Sequence, residues 1–182
     1  MTTALAGAVE LLDRSLAWTR VALAQVEPVP GTTPTPCHGW SVAQLLHHMD
    51  DGLDAYTEAA TGQVALRPTP GQSRLDSIRL KACALLGWWV DRPAAEVDIG
   101  DHRLPAEVVL GAAALEITVH GWDLRQAAGE PAPIPEALAR PLLEVARAHG
   151  AVRPPCLSPV SATPRVPDDS GSWRLLAWCG RT

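Results

Sequence analysis

The sequence predicts an all-α fold, an up-and-down helical bundle in a single domain over residues 1–182. Three observations predict it. Five segments carry apolar residues at helical spacing. Stretches rich in Pro and Gly separate them. Strand-like alternation is weak and confined to Val97–Leu104.

At 182 residues the chain can bury a real core. It carries a net charge of −5 and no basic run, which argues against a nucleic-acid partner. The N-terminal stretch has no basic n-region and carries Glu10 and Asp13 early, so no secretory signal is read. No apolar run approaches the roughly 18 residues of a membrane span. A cytoplasmic protein with reduced thiols is the expectation. Its four cysteines, Cys37, Cys83, Cys156 and Cys179, form no CxxC. Cys37 reads as a small, semi-buried residue of a Pro-rich turn.

The first helix is expected over Thr3–Val26, with Leu5, Val9, Leu12, Leu16, Leu23 and Val26 on one face. Pro30, Pro34 and Pro36 then hold the chain extended. Ser41 starts the second helix, and Gln44 three residues on completes a capping box. Its stripe is Val42, Leu45, Leu46, Met49, Leu53 and Tyr56. With about 100° per residue, His48 lies about 100° from Met49, at the edge of the core. His47 lies about 160° away, toward water. Gly52 leaves space one turn beyond His48.

A third helix is expected from about Gln72 to Val90, facing inward through Leu75, Ile78, Ala82, Leu85, Leu86 and Trp89. Val97–Leu104 suits either a small hairpin or an irregular loop. Pro105 belongs in the first turn of a fourth helix that ends near Ala128, with Gly129 as its C-terminal glycine. The fifth helix spans Pro135 to His149. Beyond Gly150 a Pro-rich tail is expected to wrap the bundle irregularly, and WRLLAW (173–178) to dock back as an apolar turn.

The fourth helix carries the chemistry. Val109, Ala112, Ala113, Glu116, His120, Asp123 and Ala127 share a narrow face, where the alanines would let another helix approach. Ionisable groups on such a face need a partner or a metal. Glu116 and His120, four residues apart, can hold one metal ion, and His48 is a candidate third ligand. Asp123, one turn on, could hold a ligating imidazole or contact substrate. Two imidazoles and one carboxylate suit Zn²⁺ first, with Ni²⁺, Fe²⁺ and Mn²⁺ as alternatives, and leave a coordination position open. The same spacing also suits a solvated ion pair, and His48 suits a hydrogen-bonded core histidine. His38, His102 and His149 receive no role. There is no GxSxG and no Gly-rich phosphate loop.

Two segments carry a family resemblance. TPCHGWSVAQLLHHMDD, with Trp40 eight residues before His48, resembles the first metal-binding signature of the DinB-like, mycothiol-dependent maleylpyruvate isomerase superfamily. LEITVHGWDLRQAAG resembles its second, a Glu-x-x-x-His pair followed by Trp-Asp, here Glu116, His120, Trp122 and Asp123. The tail VPDDSGSWRLLAWCGR is similar to the end of an actinobacterial branch known only as metal-binding. The resemblance implies a DinB-like four-helix bundle holding one divalent metal, usually zinc, at His48, Glu116 and His120. It also implies catalysis with a low-molecular-weight thiol, mycothiol in actinobacteria, by S-transfer or cis–trans isomerisation. The maleylpyruvate isomerases carry an additional C-terminal domain that these residues do not supply, so that particular activity is not expected.

Three functions compete at this point. The first is a thiol-dependent transferase or isomerase. The second is a thiol-independent metal hydrolase or Lewis-acid enzyme. The third is a non-enzymatic metal-binding protein. Arg67, Arg74, Arg79 and Arg125 are candidate substrate contacts if the fold brings them near. Trp88 and Trp89, or the WRLLAW turn, offer an apolar patch for a homodimer.

Overall fold

A computed structural model describes residues 2–37, 39–63, 71–148 and 170–181. Among them are six helices and one two-stranded hairpin: α1 (Thr3–Val26), α2 (Val42–Thr61), α3 (Arg74–Asp91), β1 (Glu96–Ile99), β2 (His102–Pro105), α4 (Ala106–Ala127), α5 (Glu136–Ala148) and α6 (Gly171–Trp178). The chain is predominantly helical. No helix among the described residues is long and apolar enough to cross a membrane.

Local chemistry sets the helix ends. Ser41 caps α2, its hydroxyl accepting from the Gln44 amide while the Gln44 side chain accepts from the Ser41 amide. Gly62 ends that helix in the left-handed region, φ 69°. The α3 start falls at Arg74 rather than Gln72 because Ser73 is its cap, accepting from the Asp76 amide. Pro105 sits at the cap of α4, one position before the first turn. Gly129 follows α4 at φ 72°. The Val97–Leu104 stretch is a hairpin, with Val97 opposite Leu104 and Gly100 at φ 58° in the turn.

The four long helices surround one core. Helix α1 packs along α4 and touches α3, while α2 packs on α3 and touches α4. Helix α4 is the innermost, with thirteen of its 22 residues buried. Its closest neighbour is α1, and Gly121 permits the approach. A Cβ there would lie 2.7 Å from the Thr19 Oγ1. That hydroxyl donates to the Ile117 carbonyl at 3.0 Å, so it binds α1 to α4 without being left unpaired. Of the alanines expected to admit another helix, Ala113 is buried and Ala112 and Ala127 are half-buried. Helices α5 and α6 pack on each other outside this group, and α5 also reaches α4 and α1.

Trp89 corrects the expected dimer patch: at 1% exposure it is a core side chain and presents nothing to a partner. Trp88 is half-buried, with the Arg92 guanidinium 4.7 Å over its ring. WRLLAW forms α6, which buries Leu175 and Leu176. The irregular Pro-rich tail, His38, Arg67, His149 and Cys156 lie outside the described residues.

Candidate metal centre

The site is built where α2 meets α4. A pinned turn fixes the start of α2. The Thr35 hydroxyl donates toward the Cys37 and Trp40 carbonyls at 3.3 and 3.0 Å, and the Trp40 amide donates to the Cys37 carbonyl at 3.0 Å. This turn lays the Trp40 ring edge-on to His48, centroids 4.9 Å apart. The helical arithmetic separates the two histidines as expected. The His47 side chain is 61% exposed and pairs with Asp51, whereas His48 turns in to α4.

Glu116 is the hub. Its Oε1 lies 2.7 Å from His48 Nε2, and its Oε2 accepts a 2.6 Å hydrogen bond from the Tyr56 hydroxyl. The His48 and His120 rings stand edge to face, centroids 5.0 Å apart. One donor atom from each of His48, Glu116 and His120 lies within 4.8 Å of the other two. These residues fit a divalent cation on one further observation. His48 Nε2 is buried and makes no hydrogen bond, although Glu116 Oε1 is so close. The two atoms converge without the direction a hydrogen bond needs, which is how lone pairs aimed at a common point are arranged.

Burial pushes the Glu116 carboxyl up. The His48 contact, the Tyr56 hydrogen bond and the charge of the two imidazoles when protonated outweigh it and hold the group below its ordinary range in the metal-free fold. Burial and the Glu116 carboxylate together hold the Tyr56 phenol well above its ordinary value, so it stays protonated and donates.

Behind His120 runs a buried chain. His120 Nδ1 lies 3.1 Å from Asp123 Oδ2, which assigns the ring proton to Nδ1 and turns the Nε2 edge toward the cluster. Asp123 is fully buried. Arg181 grips both its oxygens, Nε to Oδ1 at 2.9 Å and Nη2 to Oδ2 at 2.5 Å, and donates Nη1 to the Cys179 carbonyl at 2.9 Å. Of the two roles expected for Asp123, the geometry is that of a support for His120. Cys37, His120 and Asp123 also bring donor atoms within 4.8 Å of one another. The Arg181 guanidinium on that carboxylate opposes a cation there.

Sequence reasoning missed Arg181 and the depth of Cys37, which is fully buried. The only available signal for Arg181 was a basic residue ending an apolar segment already expected to dock. The arginine candidates divide. Arg74 pairs with Asp50 at 2.8 Å, and Arg125 stacks 5.8 Å over the Trp18 ring. Arg79 borders a cleft beside the site but donates to Glu27 and Asp76, each at 3.1 Å. Arg20, not singled out beforehand, borders the same cleft.

That cleft, about 380 Å³, lies among α1, α2, α3 and α4. Glu116, His120, Tyr56 and Gly52 line it on the α2 and α4 side. At Gly52, where the sequence predicts open space, a Cβ would lie 3.7 Å from Glu116 Oε1, an ordinary contact.

Comparison with family models, with curated proteins and with solved structures finds no match.

Proposed function

We propose that this chain is a DinB-like metal-dependent enzyme that uses a low-molecular-weight thiol, mycothiol where that thiol is made, in S-transfer to a small electrophile or its cis–trans isomerisation. The observation that carries the metal is the convergence of His48, Glu116 and His120 around a buried His48 nitrogen that makes no hydrogen bond. The packing of α1–α4 around the cluster and the two signature segments support the superfamily. The bound ion, Zn²⁺ first on these donors, would supply Lewis acidity, lowering the pKa of a thiol so that a thiolate is available near neutral pH.

The chain's own residues do the rest. His48, Glu116 and His120 hold the ion. Asp123, anchored by Arg181, keeps the His120 proton on Nδ1 and so keeps Nε2 basic. Tyr56 stays protonated and fixes the second oxygen of Glu116, so that carboxylate presents Oε1 alone to the cluster.

The test is turnover of 1-chloro-2,4-dinitrobenzene by zinc-loaded protein with and without mycothiol, beside Glu116→Gln. Thiol-dependent turnover, lost in Glu116→Gln, supports the reading. Turnover of an activated ester without thiol would favour the metal hydrolase. Turnover unchanged in Glu116→Gln would contradict both.

A further inference from the structure

We propose that the cleft takes the uncharged, apolar body of the substrate, an alkyl or aryl electrophile about the size of two fused rings, and rejects carboxylates. The chemistry of this proposal rests on the metal enzyme proposed above, while the ligand class rests on the cleft alone.

The walls set the class. Leu16 and Leu23 of α1, Met49 and Leu53 of α2, and Ile78 and Leu86 of α3 face one another across the space. Three of the polar side chains that border it already have partners. The Thr19 hydroxyl donates to the Ile117 carbonyl, Tyr56 donates to Glu116, and Arg79 is held by two carboxylates. The hydroxyl protons of Thr19 and Tyr56 and two of the five Arg79 N–H groups are thus taken, and a ligand inside gains chiefly apolar burial. An ionised carboxylate would lose its hydration against these apolar walls.

The mouth lies between α1 and α3, because the exposed residues of the lining, Asp13, Ala17, Arg20 and Cys83, all belong to those helices. Asp13 and Arg20 are of opposite charge and stand in water, so they give the entrance little preference for an anion. The inner end is Glu116 and His120, which sets an apolar body beside the proposed metal. A dry cavity of about 150 Å³ holds benzene, so one about two and a half times larger suits a bicyclic molecule.

The experiment uses the full chain with Cys156→Ser, so that the exposed Cys83 is the thiol to label. Cys37 and Cys179 are buried, at 0% and 1% exposure. Naphthalene and 2-naphthoate are titrated by equilibrium dialysis, with metal content measured on the same samples. The expected result is saturable naphthalene binding, with 2-naphthoate weaker by at least about tenfold. Bound naphthalene should slow N-ethylmaleimide labelling of Cys83 in proportion to occupancy. Ala82→Trp, which fills the cleft, should abolish binding and leave the metal content unchanged. Should that variant not fold, the labelling result decides.

Equal or tighter binding of 2-naphthoate, weakened by Arg20→Ala, would overturn the proposal and make the mouth an anion site. No naphthalene binding, or no protection of Cys83, would overturn it as well. Naphthalene bound to protein that takes up no metal would uphold the cleft and remove the proposed chemistry. Metal without naphthalene would remove the cleft alone.

Discussion

Glu116 and Asp50 are two inward-facing carboxylates of this protein, and they are treated in opposite ways. Asp50, on α2, is saturated by donors. Arg74 reaches it at 2.8 Å, the Ser77 hydroxyl at 2.7 Å and Lys81 at 2.9 Å, and Lys81 continues to Asp54 at 2.6 Å. Burial opposes the Lys81 charge, but hydrogen bonds to Asp54 and Asp50 outweigh it and hold the ammonium above its ordinary value. Every short contact on Asp50 is a donor meeting an acceptor. Around Glu116 only Tyr56 does this. His48 brings a nitrogen that makes no hydrogen bond, and an open cleft lies alongside. A buried charge alone therefore does not mark a functional site. What sets Glu116 apart is a converging set of donor atoms from two helices beside an open cleft, which is the basis of the metal proposal.

Four experiments can break or sharpen this contrast, taken from the largest expected effect to the smallest. His120→Ala removes one converging donor. Zinc affinity should fall by about a thousandfold, about 4 kcal/mol, while circular dichroism shows the helices intact. Unchanged affinity in a competition titration would put the ion elsewhere. Asp50→Ala should do the reverse, leaving metal stoichiometry at the wild-type level and lowering stability by about 3 kcal/mol in urea. That is the low end for a broken buried ion pair, since Arg74 is partly solvated. Loss of metal in this variant would erase the distinction between the two carboxylates.

Arg181→Met tests the buried support. Zinc affinity is expected to fall by about 10- to 100-fold, with Arg181→Lys recovering part of it, and the d–d spectrum of the cobalt-substituted protein should shift. A spectrum identical to wild type would reduce Arg181 to a packing role. The smallest effect is in pH. Glu116 is held below its ordinary value of 4.5 in the metal-free fold. The stability it contributes is complete above that value and is lost as pH falls through its lowered folded-state value. Glu116→Gln should flatten this acid limb of the urea midpoint. An unchanged limb would assign it to other carboxylates.

Much of this was legible in the sequence because it is local. Both ends of α1, the Ser41–Gln44 box, the glycine after α4 and the inward choice of His48 over His47 follow from spacing within one or two turns. The Glu116–His120 pair is legible for the same reason. What was not legible depends on pairing between helices. Asp50 stands next to Asp51 and reads as part of a polar face, yet donors on α3 draw it inside. Arg181 meets Asp123 across 58 residues of chain, and no periodicity points from one to the other. Trp89 reads equally well as a core or a patch residue until α3 is packed. Cys37 is pulled in by a turn whose hydrogen bonds involve Thr35, a residue with no signal of its own.

The central claim is that His48, Glu116 and His120 form one cation site. Elemental analysis of the purified protein, wild type beside His48→Ala, tests it most directly. The account predicts about one equivalent of a divalent metal, zinc first, in the wild type and a loss of most of it in a folded His48→Ala variant. No metal in the wild type after reconstitution, or equal metal in both proteins, would contradict it and leave Glu116 and His120 an ordinary pair on one helix.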